Sequence, residues 1–96
     1  MCQIFAGQDP SEYACETRSV RINGFSTSIR LERAFWRVLE EIAAGDAMTA
    51  PQFISRLHSE VLERQGEVRN FTSLLRCACL VHLGRAAEPA DRIAAQ

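Results

Sequence analysis

Between Arg18 and Leu31 apolar and polar residues alternate on either side of an Asn23-Gly24 pair. Alternation of this kind marks strands with one buried face. Asn-Gly is the strongest two-residue hairpin signal, because a type I′ turn needs positive φ at both central residues. The pattern predicts a hairpin that pairs Ile22 with Phe25 and Val20 with Thr27. Val20, Ile22, Phe25, Thr27, Ile29 and Leu31 then share an apolar face. Ser19, Arg21, Ser26, Ser28 and Arg30 share a face that is small, polar and basic.

At Glu32 the period changes from two to that of a helix. Leu31, Ala34, Phe35, Val38, Leu39 and Ile42 recur at i, i+3 and i+4, which predicts an amphipathic helix from Glu32 to about Asp46. Trp36 falls beside this stripe, either as a residue that a partner covers or as a partly exposed structural tryptophan. Thr49-Ala50-Pro51-Gln52 fits a capping box with Thr49 as N-cap, and Met48 and Phe53 fit a hydrophobic staple. Pro51 sits in the first turn, where its missing N–H costs no helical bond. Phe53, Ile54, Leu57 and Val61 form the stripe of this second helix, and Gly66 stops it. A third helix is expected from Asn70 as N-cap to Gly84, with Phe71, Leu74, Leu75, Ala78 and Val81 facing inward. Residues 1–17 read as an N-terminal extension with a turn at Gly7-Gln8-Asp9-Pro10, and with Ile4, Phe5 and Tyr13 placed to cover an edge of the core. Residues 18–83 make one domain, and the Ala-rich stretch 84–96 reads as a flexible tail.

A chain of 96 residues has room for one domain and buries only about two-thirds of its unfolded surface. The strand face and the helix stripes are more apolar surface than one such chain covers, so an obligate homodimer is expected. The apolar fraction of 47% is ordinary, and no apolar run approaches the roughly 20 residues that span a bilayer. The first residues, Met1 to Gly7, lack the basic flank and longer apolar stretch of a signal peptide. These features lead to the expectation of a cytoplasmic protein with no membrane association.

Net charge is −1, but the charge is unevenly placed. Residues 1–17 carry −3, 18–37 carry +4, 38–68 carry −4 and 69–96 carry +2. The positive charge is gathered on the hairpin and the start of the first helix, as a phosphate-facing surface requires. Every basic residue is arginine, the better bidentate ligand for phosphate and guanine. Cys77 and Cys79 lack the spacing of a zinc knuckle, and Cys79 with His82 is a single pair rather than a four-ligand set. The cysteines therefore read as small buried thiols, with no metal and no cofactor. Neither histidine has an evident nucleophile or carboxylate partner in the sequence, and Glu40-Glu41 points to two helix faces. A non-enzymatic protein is the expectation.

The segment Ser26-Thr27-Ser28-Ile29-Arg30-Leu31-Glu32, running on through Phe53 to Glu63, resembles the ribbon-helix-helix superfamily. The wider pattern is similar to a family of short bacterial ribbon-helix-helix-domain proteins. It comprises residues 2–10, Thr17-Arg18-Ser19-Val20-Arg21, Pro51-Gln52-Phe53, Asn70-Phe71 and Leu74-Leu75-Arg76. The resemblance implies an α+β, mostly α fold: a ribbon-helix-helix with an extra N-terminal hairpin strand and a third C-terminal helix, as an intertwined dimer. It also implies double-stranded DNA as partner and a role in transcription regulation. Ser26, Ser28 and Arg30 would read bases in the major groove. Arg18, Arg21, Arg33, Arg37 and the helix start at Thr49 and Ala50 would meet phosphates. The turn between the two helices carries Ala47 where the superfamily usually has glycine. The alternative is a homodimeric protein-interaction module on the same fold that docks a protein partner and binds no DNA.

Overall fold

The structure, a computed structural model, describes residues 2–87. Two short helices, α1 (Cys2–Ala6) and α2 (Pro10–Tyr13), lead into strand β1 (Cys15–Ile22). Strand β2 (Phe25–Glu32) follows, then helices α3 (Arg33–Gly45), α4 (Ala50–Gln65) and α5 (Phe71–Ala86). The α+β, mostly helical fold class is the one expected.

The strands form a two-stranded antiparallel sheet. Ile22 faces Phe25 and Val20 faces Thr27, the register set by Asn23 (φ 51°) and Gly24 (φ 84°) in the turn. Directly opposed residues share a face, so Glu16, Arg18, Val20 and Ile22 lie on the same side as Phe25, Thr27, Ile29 and Leu31. Only part of that side is covered. Val20, Ile22, Ile29 and Leu31 are buried, whereas Phe25 is 76% exposed and Thr27 is also in solvent. The strand begins at Cys15, earlier than the alternation after Arg18 indicates, because Glu16 and Arg18 continue the inward phase as a polar pair.

Helix α3 leaves β2 directly and lies at the centre of the domain, with α4 packed on it beneath β1 and α5 packed on it beneath β2. The core joins the four buried strand residues to Trp36, Leu39, Ile54, Leu75 and Cys79. Trp36 is thus not a residue awaiting a partner: it is 1% exposed, and its indole N–H donates to the Glu16 carbonyl at 2.8 Å. Trp36, Leu39 and Ala43 are the buried stripe of α3, while Phe35, Val38 and Ile42 are half-buried.

The capping box at α4 is fully formed. The Gln52 N–H donates to Thr49 Oγ1 at 3.3 Å, and the Thr49 N–H donates to Gln52 Oε1 at 2.9 Å. Gly66 closes the helix in the left-handed conformation, as read from the sequence. Three other expectations change. Asn70 precedes α5 with φ 48° and makes no side-chain cap. Gly84 lies inside α5, which runs on to Ala86, and Val81 is exposed while Cys79 takes the buried position. Ile4, Phe5 and Tyr13 cover no edge of the core in this chain; all three are largely exposed. Most of the expected tail, residues 88–96, lies outside the described residues.

Candidate nucleic-acid interface

The hairpin's outer face is the side turned away from the helices. It carries Thr17, Ser19 and Arg21 on β1 opposite Arg30, Ser28 and Ser26 on β2. All six are exposed. Strand geometry spreads Arg21 and Arg30 over four residue steps, about 13 Å. Between them lie hydroxyls; Ser19 and Ser26 share a hydrogen bond at 2.6 Å. The Arg21 Nη1 donates to the Gly24 carbonyl at 3.3 Å, back across the turn. Among the described residues no carboxylate comes within 4.0 Å of the Arg21 or Arg30 guanidinium. The three side chains singled out as base readers, Ser26, Ser28 and Arg30, are therefore brought together on one open strand face with Arg21.

The other arginines of the basic stretch are placed differently. Arg18 is on the inner face and only 35% exposed. Its guanidinium lies 4.6 Å from the Trp36 ring centroid and donates to Glu16 at 2.6 Å, with Glu40 at 3.9 Å. Arg33 and Arg37, one turn apart on α3, extend into solvent but are held by acids from the N-terminal segment. Arg33 meets Glu16 at 3.4 Å. Arg37 grips Glu12 with both terminal guanidinium nitrogens, Nη1 donating to Oε2 at 2.7 Å and Nη2 to Oε1. The Arg18 hydrogen bond holds the Glu16 carboxyl below the usual carboxylate range, with help from Arg33. Arg37 does the same to Glu12, which in turn raises the Arg37 pKa. Glu32 ends the outer face and is turned to Arg76 at 3.0 Å. Its own backbone N–H and then Arg76 lower its pKa.

The start of α4 offers little to an anion. Thr49 Oγ1 is occupied by the Gln52 N–H, Pro51 has no N–H, and Ala50 is buried at 7% exposure. Asp46 sits just before it. The Glu12 and Glu16 pairings were missed from sequence; the signal available was the i, i+2 phase of Glu16 and Arg18 with Val20.

Cys79 is buried, its thiol donating to the Phe35 carbonyl at 3.7 Å, and burial pushes its pKa up to about 11. Cys2, Cys15 and Cys77 are exposed free thiols, contrary to the expectation of buried ones. His82 is 3.0 Å from Glu41 across α3 and α5. Among the described residues no three His, Cys, Asp or Glu side chains gather as a metal site, and no helix is long and apolar enough to cross a membrane.

Among known proteins, a family model described as a ribbon-helix-helix domain matches residues 15–83. A solved structure described as an uncharacterized protein from Bordetella pertussis Tohama I is similar at 47% identity and a TM-score of 0.85. That similarity covers 95% of this chain and 75% of the other. No curated protein matches the chain.

Proposed function

This chain belongs to the ribbon-helix-helix domain family, and from that premise we propose that it is a dimeric, sequence-specific DNA-binding regulator that presents the hairpin's outer face to the major groove. The observation that supports this reading best is the state of Arg30. It stands on an open strand face beside Ser26 and Ser28, with no carboxylate among the described residues within 4.0 Å of its guanidinium; Glu32, two residues on, is turned to Arg76. A guanidinium so placed suits the O6/N7 edge of guanine, and the serines accept or donate to any base. Arg21, at the other end of the face, supplies charge to the phosphates. Arg33 and Arg37 join it only by exchanging Glu16 and Glu12 for phosphate, and Arg18 serves the fold by covering Trp36. Thr49 and Ala50 contribute the positive end of the α4 dipole rather than free donors.

Surface left open supports the dimer. Among the described residues one edge of β2 is free, Phe25 and Thr27 on the inner face have no cover of their own, and Phe35, Val38 and Ile42 form a half-buried second stripe. Antiparallel pairing of β2 with the β2 of a second copy brings the partner's helices beneath Phe25. Because each chain already pairs β1 with β2, such a dimer has four strands. Its outer axes lie ~14 Å apart at about 4.8 Å per strand, against a major groove of about 12 Å. A sheet this wide favours a protein-docking module unless its outer strands ride over the phosphate rims.

Binding of wild type and variants to a selected duplex across a salt series tests the reading. Arg30→Ala is expected to lose about 1–3 kcal/mol on the preferred site and to relax its preference. Arg21→Ala should weaken all duplexes alike and flatten the salt dependence. If Arg30→Ala binds as wild type does, the base-reading role is wrong and the protein-docking reading replaces it.

A further inference from the structure

Helix α5 is apolar on two opposite sides. Its inner side carries Leu75 and Cys79, both buried, and packs on α3, where the Cys79 thiol meets the Phe35 carbonyl. On the other side Ser73, Cys77, Leu80, Val81 and Gly84 recur at helical spacing, and all five are exposed. None of them is charged. Leu80 is 62% exposed and Val81 60%, and Leu83 stands exposed beside them. A surface helix turns polar residues to the side away from the core, and a helix apolar all round is one that is covered on both sides. In the single chain α5 is covered on one.

The helix lies beneath β2, the strand whose outer edge is free among the described residues. Arg76 ties it to Glu32, at the end of that strand, at 3.0 Å. With α3 at the centre of the domain, the side of α5 away from α3 looks out beneath the β2 edge. We propose that α5 is the floor of the dimer interface, its outer face packing on the α5 of a second copy while β2 pairs with β2 above. The proposal rests on the dimer reading and assigns the third helix its part in it. Neighbouring strands lie about 4.8 Å apart and packed helices 8–10 Å, so helices beneath two paired strands meet with no room for a layer between them. The area needs them too. The eight-residue edge of β2 is a strip ~26 Å long and ~10 Å deep, or ~260 Å², against the ~800 Å² that each partner of a stable interface buries. The outer face of α5, 16 residues and so ~24 Å long, adds about as much again. Ser73, Cys77 and Gly84 let the two backbones come close, Leu80 and Val81 fill the space, and no charge has to be stripped of water. A two-fold axis makes the contact isologous, the same face on both chains.

Sedimentation of the full chain over a concentration series tests this. Leu80→Glu changes an exposed position, so the monomer keeps its fold. It should raise the dimer dissociation constant roughly tenfold or more, the usual cost at the centre of an interface. Leu62→Glu, at an exposed leucine of α4, should leave the constant as it is. A wild type that dimerises while Leu80→Glu dimerises equally well overturns the α5 contact and leaves the β2 edge to hold the dimer. Equal losses in the two variants also overturn it, because the effect is then one of charge and not of place. A wild type that stays monomeric at every concentration removes the dimer reading itself, and the α5 contact with it. Cys77, in the middle of the face, gives a second readout that needs no substitution. A thiol reagent reaches it through the monomer, without unfolding. Its labelling rate should therefore fall as rising concentration carries the chain into the dimer, while Cys2 and Cys15 react at a constant rate. Cys77 labelling that ignores concentration in a protein that dimerises places α5 outside the interface.

Discussion

Ala47 offers the cleanest test of the turn that joins α3 to α4. It is in the left-handed conformation, φ 55°, at the C′ position of a Schellman cap. The Met48 N–H donates to the Ala43 carbonyl at 2.8 Å and the Ala47 N–H to the Ala44 carbonyl at 3.1 Å. That position strongly prefers glycine, because a Cβ in this conformation costs about 1–2 kcal/mol. Glycine returns roughly 0.5–1 kcal/mol of this through the extra freedom of the unfolded chain. Ala47→Gly should therefore stabilise the fold by about 0.5–1 kcal/mol. For a domain of this size that is a rise of about 2–8 °C in the unfolding midpoint, at fixed protein concentration so that any dimer linkage is held constant. Gly66, at φ 78° after α4, is the opposite control: Gly66→Ala should lower the midpoint. If Ala47→Gly leaves the midpoint unchanged or lowers it, the strain is not there and the α3–α4 turn has another conformation.

Thr49→Ala removes one half of the α4 capping box and should cost about 1 kcal/mol in denaturant unfolding; an unchanged midpoint would show that the box is not closed. In native protein a thiol reagent should label Cys2, Cys15 and Cys77 and spare Cys79 until the protein unfolds, since Cys79 is buried with a pKa of about 11; rapid labelling of all four refutes the packing of α5. Glu12, Glu16 and Glu32 have depressed pKa values in the folded chain, so the stability they add is complete above the ordinary carboxylate range near 4.5. It should be lost as pH falls through their folded values. A thermal midpoint that holds steady or rises on acidification from pH 5 to pH 2 contradicts the arginine–glutamate ties.

Much of this arrangement was legible because local chemistry dictated it. Asn23-Gly24 admits one turn type, and that turn fixes the register of every pair from Ile22↔Phe25 to Cys15↔Glu32. Thr49 and Gln52 cap α4 by themselves, and Ser26, Ser28 and Arg30 follow from the register. What was not legible depends on which of two equivalent surfaces a helix turns inward. Trp36, Leu39 and Ala43 form one apolar stripe of α3 and Phe35, Val38 and Ile42 another; periodicity favours the second, taken together with Leu39, and leaves Trp36 beside it. Tertiary packing chose the first, where the Trp36 indole reaches the Glu16 carbonyl. Arg18 was misplaced for a related reason: charge suggests solvent, but the strand phase puts it inward, and the Trp36 ring with Glu16 and Glu40 compensates it. The acids of residues 1–17 lie 17 to 25 positions from the α3 arginines they bind, a separation on which local patterning is silent.

The central claim is that the outer face of the hairpin reads DNA sequence. The most direct measurement is repeated selection of random duplexes by the full chain at low salt, where a protein of net charge −1 retains its electrostatic affinity. The account predicts enrichment of a two-fold symmetric motif containing guanine at equivalent positions in each half, and loss of that guanine preference when Arg30→Ala is put through the same selection. A pool that stays random after successive rounds, for wild type as for the variant, contradicts it.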